Sequence, residues 1–203
     1  MPDSPYILKF PSGGICPVHA HIVNWQFELL HSIGRSKIYY KALERAYSNM
    51  EEGHLRNALV HFGNVSFLNF LIDWCKIFGS NNNKSHWKKI FYEAMALDKK
   101  PICERDAFER NVMQAIFNEC ELDTEEYKKI VKSVKKARDK FAAHLDIGEI
   151  PEMPNLEVPY CIANALSCLY GNFIGDNSPS LKDLEEDFQS EIESIIEKLS
   201  PEK

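Results

Sequence analysis

The residues best suited to chemistry lie close together near position 140. Arg138, Asp139 and His144 follow a lysine-rich segment in the pattern Arg-Asp-x-x-x-x-His. An arginine guanidinium binds phosphate through directed hydrogen bonds, and a histidine transfers protons near neutral pH. Together these groups could cleave an RNA chain. The same three residues could also be ordinary members of a helix.

The segment that carries these residues is predicted to be an amphipathic helix. Asp123 and Glu126 have the spacing of a capping box, so the helix should begin there and run from about Thr124 to Leu145. At about 100° per residue, its buried face consists of Ile130, Val134, Ala137 and Phe141. The six lysines between positions 128 and 140 lie on the opposite side. This pattern is typical of a solvated face paired with acidic neighbours.

Arg138 and His144 lie on the two borders of that buried face. They are about 120° apart around the helix and about 9 Å apart along it. They could therefore converge only in a cleft that the helix forms with a partner, such as a second copy across a two-fold axis. In the alternative interpretation, Arg138 pairs with Asp73 or Asp146 because a buried guanidinium needs an acceptor, and His144 caps the helix C-terminus.

The remainder of the chain is predicted to be all-α. Residues 1–17 are rich in proline and glycine and should form an extended N-terminal arm. From residue 18 to residue 200, helical periodicity predicts a single domain, a bundle of about six to seven helices, with Gly34 as a candidate break in the first. No alternating strand pattern of any length competes with these helices.

The composition limits the classes of function. The hydrophobic fraction of 44% and the charged fraction of 27% are those of a globular chain, and a net charge of −6 excludes a broadly basic surface. Any contact with RNA must therefore be local. No apolar run reaches the roughly 18 residues of a membrane span, and no signal peptide is recognisable, so a cytoplasmic location is expected.

The cysteines predict neither a metal site nor a cofactor. Six of them are scattered without a Cys-x-x-Cys pair, as is usual for small buried residues. His19 and His21 lie near Cys16, but solvent-facing histidines at the start of a helix explain them better than a zinc site.

A second group of candidates surrounds the asparagine-rich loop at positions 81–83. Trp74, His86 and Trp87 flank this loop, and their rings could stack on an RNA base beside the site, with Asp73 next to them. Alternatively, the tryptophans anchor the core of the bundle.

Two features together resemble the HEPN superfamily, in its abortive-infection-type branch. One is the Arg138-Asp139-x-x-x-x-His144 pattern, which looks like the signature of the family. The other is wider and comprises residues 74–80 (WCKIFGS), 86–91 (HWKKIF) and 139–146 (DKFAAHLD). The resemblance covers a core of about residues 55–147, on which the C-terminal helices would pack.

The resemblance implies a dimeric, metal-independent endoribonuclease that acts on single-stranded RNA as a toxin or antiphage effector, with an antitoxin protein as a further partner. Arg138 would hold the scissile phosphate, His144 would be the general acid or base, and Asp139 would orient the histidine or hold the arginine. The products would be a 2′,3′-cyclic phosphate and a 5′-hydroxyl.

Two other hypotheses remain open. At the second position of the HEPN signature, asparagine is commoner than the aspartate found here as Asp139, and a carboxylate there would repel phosphate. This favours a non-catalytic dimeric module that binds a nucleotide, RNA or a partner protein. The third hypothesis is an interaction protein in which Arg138 only neutralises Asp73 or Asp146.

Overall fold

The computed structural model describes residues 6–9, 15–18, 20–89, 102–143, 154–174 and 180–199. In these ranges the prediction of an all-α fold is confirmed. The helices are α1 Ala20–Ser48, α2 His54–Phe78, α3 Ile102–Cys120, α4 Thr124–Ala143, α5 Glu157–Ile174 and α6 Glu185–Leu199. They are preceded by two short strands, β1 Tyr6–Lys9 and β2 Ile15–Val18, which pair antiparallel with Tyr6 opposite Val18.

The two longest helices, α1 and α2, pack against each other more extensively than any other pair of helices in the described ranges. α1 continues through Gly34, where the sequence had suggested a break. α6 and the segment that leads into it pack against α1 at Gly34. A Cβ atom on Gly34 would lie 3.2 Å from the Phe188 ring and 3.5 Å from Leu181. The glycine therefore permits a close approach between α1 and the C-terminal segment.

The apolar residues of α2 form the centre of the core. Phe67, Phe70, Leu71 and Trp74 are completely buried. The Phe67 ring lies 5.0 Å from the ring of Phe141, which joins α2 to α4. Burial of large rings at these positions supplies much of the apolar area that stabilises the fold.

α4 begins at the predicted capping box. The Asp123 carboxylate accepts a hydrogen bond from the Glu126 N–H at 2.8 Å, and the Glu126 carboxylate accepts one from the Asp123 N–H at 2.8 Å. The predicted stripe faces the core, since Val134 and Phe141 are buried. The predicted helix cap and the predicted buried stripe of α4 are both confirmed.

Consecutive helices α3 and α4 pack on different parts of the bundle. α3 contacts α5, whereas α4 contacts α2, and the two share few contacts with each other. They diverge from the turn at residues 121–123, where Glu121 adopts a left-handed conformation with φ of 53° and the Leu122 N–H bonds the Phe117 carbonyl at 2.9 Å. An open groove is left between them.

No helix in the described ranges is both long and apolar enough to cross a membrane.

Candidate functional site

Arg138 lies on the border of the buried face of α4, as predicted, and its partner is its neighbour in the chain. The Nε and Nη2 atoms donate hydrogen bonds to one carboxylate oxygen of Asp139, at 2.9 and 2.6 Å. The Arg138 side chain is 31% exposed and that of Asp139 is 65% exposed. These hydrogen bonds raise the pKa of Arg138 further above its ordinary value. The guanidinium is therefore fixed on one edge and reachable on the other.

Cys75 of α2 lies beside the Arg138 guanidinium. Burial raises the pKa of the Cys75 thiol to about 11, and the nearby positive charge of Arg138 only partly opposes this effect. A thiol with so high a pKa stays protonated near neutral pH, so Cys75 is a packing partner of Arg138 and has no nucleophilic character there.

Asp73 has partners other than Arg138. Its carboxylate accepts hydrogen bonds from Ser32 Oγ at 2.6 Å and from Lys76 Nζ at 2.7 Å. The pairing of Arg138 with Asp73 that the sequence allowed does not form. The reason is local: Lys76 is one turn away from Asp73 on α2, and Asp139 is adjacent to Arg138.

His144 and Asp146, two residues of the sequence-based interpretation, lie outside the described residues. His144, the predicted acid or base, directly follows the last residue of α4, Ala143. Asp146 is the other candidate partner of Arg138. The predicted convergence of Arg138 and His144 in a cleft with a partner therefore stays a prediction.

Trp74 occupies a core position. It is completely buried, and its indole N–H donates a hydrogen bond to the Pro159 carbonyl at 2.8 Å. Its ring packs 4.8 Å from that of Phe78. This is the core-anchoring role that the sequence left open as the alternative to base stacking.

His86 and Trp87 lie in the segment that follows α2 and are also buried, at 3% and 1% exposure. Gln26 of α1 holds this segment through its amide, which donates to the carbonyls of Ser85 at 3.1 Å and His86 at 2.9 Å. The amide oxygen of Gln26 in turn accepts a hydrogen bond from the Tyr170 hydroxyl of α5. Burial lowers the pKa of His86 to about 4, so its imidazole is neutral near pH 7.

The groove between α3 and α4 has a volume of about 1290 Å³. Its apolar surface comes from both helices, with Met113 and Phe117 on α3, Tyr127 and Val131 on α4, and Trp87 beneath them. The rings of Phe117 and Tyr127 meet at a centroid distance of 5.6 Å, near the turn that joins the helices. Asp139 lines the opposite end, and Arg138 directly precedes it in the helix.

One wall of this groove is a row of lysines on α4. Positions 128, 132, 136 and 140 recur every four residues and therefore lie on one face, and Lys135 lies beside them. Lys128 pairs with Glu125 at 2.7 Å. Lys132, Lys136 and Lys140 form no ion pair with any residue in the described ranges. The sequence predicted a solvated face with acidic partners, and within the described ranges only Lys128 of this row has one.

The opposite wall on α3 adds one more cation and two carboxylates. Glu109 is neutralised by a close ion pair with Lys88. Arg110 and Asp106, one turn apart, also line the groove. The lining is therefore cationic in a protein of net charge −6. Sequence reasoning missed this site, although the four-residue spacing of the lysines was a signal that could have indicated it.

Within the part of the chain that the structure describes, no group of three or more histidine, cysteine, aspartate or glutamate side chains is arranged to hold a metal ion.

Comparison with known proteins found no match, whether among family models, curated proteins or solved structures. The resemblance to the HEPN superfamily thus depends on the residues of this chain alone, and the functional interpretation depends on the geometry around Arg138 and the groove.

Proposed function

We propose that this protein is a metal-independent endoribonuclease that cleaves single-stranded RNA with Arg138, Asp139 and His144. The observation that carries the proposal is the arrangement of Arg138. Asp139 engages the Nε and Nη2 donors of its guanidinium, while the side chain remains 31% exposed beside a cationic groove. A guanidinium has five N–H donors, so those on its exposed part that neither Asp139 nor Cys75 engages can bind a phosphate.

The chemistry requires these side chains, the RNA itself and solvent water, which would carry the proton that His144 does not transfer. The ribose 2′-oxygen attacks the adjacent phosphorus, the bond from phosphorus to the 5′-oxygen breaks, and a 2′,3′-cyclic phosphate and a 5′-hydroxyl form. One proton leaves the 2′-hydroxyl and one is delivered to the 5′-oxygen. His144 would carry out one of these transfers, because its ordinary pKa lies near 6.5. Arg138 would stabilise the charge that develops on the phosphate oxygens.

In this proposal Asp139 holds the arginine, which is one of the two roles that the sequence allowed. Its other carboxylate oxygen makes no hydrogen bond to a residue in the described ranges. A homodimer in which two such sites face each other, an antitoxin partner and a cytoplasmic location as a toxin or antiphage effector belong to the same proposal. Sedimentation of the purified protein tests the dimer.

The test is RNA cleavage by the purified protein in excess chelator. Wild-type protein should cut a labelled single-stranded RNA, and polynucleotide kinase should label the downstream fragment directly because that fragment carries a 5′-hydroxyl. Removing either the acid–base group or the phosphate-binding group, by His144→Ala or Arg138→Ala, should reduce cutting by about 100-fold or more.

The matched control is His61→Ala, because His61 is an exposed histidine on α2 away from the groove. It should cut at the wild-type rate. Circular dichroism of all variants checks that they are folded. Full activity in His144→Ala would exclude the proposed chemistry.

The second candidate is a non-catalytic module that binds a nucleotide, RNA or a partner protein. The Arg138–Asp139 ion pair favours it, because the carboxylate cancels the charge that would otherwise attract a phosphate. Tight binding of RNA without cutting, even at high protein concentration, would support this candidate.

A further inference from the structure

We propose that the groove between α3 and α4 binds a single strand of RNA several nucleotides long, with its phosphates along the α4 lysines and its bases against the apolar floor. The identity of the ligand as RNA rests on the proposed function. The location of the binding site rests on the groove alone.

The lysine row has the length and the charge of a backbone-binding surface. From Lys128 to Lys140 it extends about 18 Å along α4, at about 1.5 Å per residue. Like charges four residues apart destabilise a helix, and Lys132, Lys136 and Lys140 have no carboxylate partner in the described ranges. A bound polyanion would supply counter-charges for these three lysines.

The floor of the groove favours unpaired bases. Phe117, Tyr127 and Val131 present ring and aliphatic surface between the charged walls. Bases in a duplex are stacked on one another and cannot reach such a surface, whereas the bases of a single strand can lie on it. An acidic peptide would match the lysines but would leave this apolar floor unused.

The size of the groove indicates a strand and not a single nucleotide. Its volume of about 1290 Å³ exceeds the roughly 300–1,000 Å³ of sites for small molecules. One end is closed where Phe117 meets Tyr127, and Asp139 and Lys140 line the other end, next to Arg138. A strand in the groove would therefore lead to the guanidinium that we propose holds the scissile phosphate.

The binding test uses a fluorescent 2′-O-methyl oligoribonucleotide of about twelve residues, which lacks the attacking hydroxyl and cannot be cut. The test protein carries Lys132→Gln, Lys136→Gln and Lys140→Gln. The control carries Lys129→Gln, Lys182→Gln and Lys198→Gln, three exposed lysines outside the groove that change the net charge equally. Circular dichroism should show that both fold.

Fluorescence anisotropy should show an affinity at least about tenfold weaker for the groove variant and nearly unchanged for the control. The slope of log affinity against log salt should also decrease by about two in the groove variant, because each contact to a single strand contributes about 0.7. Equal affinities for the two variants, no binding by the wild type, or equal binding of a duplex would overturn the proposal. So would stronger binding of a polyglutamate peptide, which would identify an acidic protein as the ligand.

Failure of this inference and failure of the proposed function give different results. If the groove variant loses the probe but wild-type protein does not cut RNA in chelator, the groove binds RNA and the nuclease proposal is wrong. If wild-type protein cuts RNA and the groove variant cuts dilute RNA equally well, the nuclease proposal stands and the groove assignment is wrong.

Discussion

Polar groups on the two sides of the segment after α2 differ in whether they have partners. On the side toward α1 and α5, Gln26 is completely buried and satisfied by the carbonyls of Ser85 and His86 and by the Tyr170 hydroxyl. On the side toward the groove, Lys132, Lys136 and Lys140 of α4 have no acidic partner among the described residues. Polar groups that are hydrogen-bonded in the low-dielectric interior stabilise one conformation, whereas surface charges without a partner remain available to bind a ligand. One side of the segment therefore maintains the fold, and the other side is available for recognition.

The largest effect should come from the buried side, at Trp74. Trp74→Ala should lower the free energy of unfolding by about 3–5 kcal/mol, because it empties a completely buried site and removes the hydrogen bond from the indole N–H to the Pro159 carbonyl. Urea denaturation followed by circular dichroism measures this loss.

Trp25 provides the control for this change because its side chain is 46% exposed, and Trp25→Ala should cost about 1 kcal/mol or less. If Trp74→Ala does not fold, Trp74→Phe keeps an aromatic ring and removes only the donor and part of the volume. A loss for Trp74 no larger than that for Trp25 would contradict the assigned core role.

An intermediate effect is expected at His86, as a dependence of stability on pH. Burial, with smaller contributions from Lys88 and Lys89 that outweigh the opposing effect of Glu109, lowers the folded-state pKa of His86 to about 4, compared with about 6.5 in the unfolded chain. Because the unfolded state binds the proton first, the stabilisation is complete above pH 6.5 and is lost as the pH falls toward 4. The loss amounts to about 3 kcal/mol.

His86→Asn tests this effect. An asparagine can still accept the hydrogen bond that the Lys88 N–H donates to Nδ1 of His86 at 3.3 Å, but it does not titrate. Urea denaturation of both proteins at several pH values between 7 and 4 should give curves of stability against pH that differ in slope. Parallel curves would show that His86 is not kept neutral by burial.

The smallest effect should have the opposite sign and come from the groove side. Lys132→Gln with Lys136→Gln removes all three like-charged pairs in the row from Lys128 to Lys140. Stability should therefore rise by about 0.2–0.5 kcal/mol for each pair at low salt. The gain should shrink as salt screens the charges.

Lys129→Gln is the control on the same helix. Lys129 lies four residues after Glu125, a favourable spacing, so its replacement should give no gain. A loss of stability in the double groove variant would mean that these lysines have partners in the folded protein, and it would remove the contrast between the two sides.

Local features of the fold could be predicted from the sequence, and long-range ones could not. The capping box at Asp123 and Glu126 and the α4 stripe through Val134 and Phe141 depend on spacing within one helix. The continuity of α1 through Gly34 was missed because it depends on a helix more than a hundred residues away.

The same distinction between local and long-range features applies to the candidate site. The position of Arg138 on the border of the α4 stripe follows from its angle, and this was predicted. Its partner was not, because a choice among Asp73, Asp146 and Asp139 depends on which other cations are near each carboxylate. The groove was not predicted either, because periodicity identifies the two faces of a helix and not the helix that stands opposite.

The separate packing of α3 and α4 has a consequence for how this protein can vary. Within the described residues, α3 is attached to the bundle through α5 and α4 through α2. Met113, Tyr127 and Val131 line the groove and also pack against the core, whereas the charged side chains exposed in the groove can be exchanged without disturbing either attachment. Ligand preference can diverge among related chains while the bundle stays the same, and an alignment of such chains should show variable groove positions beside invariant core positions.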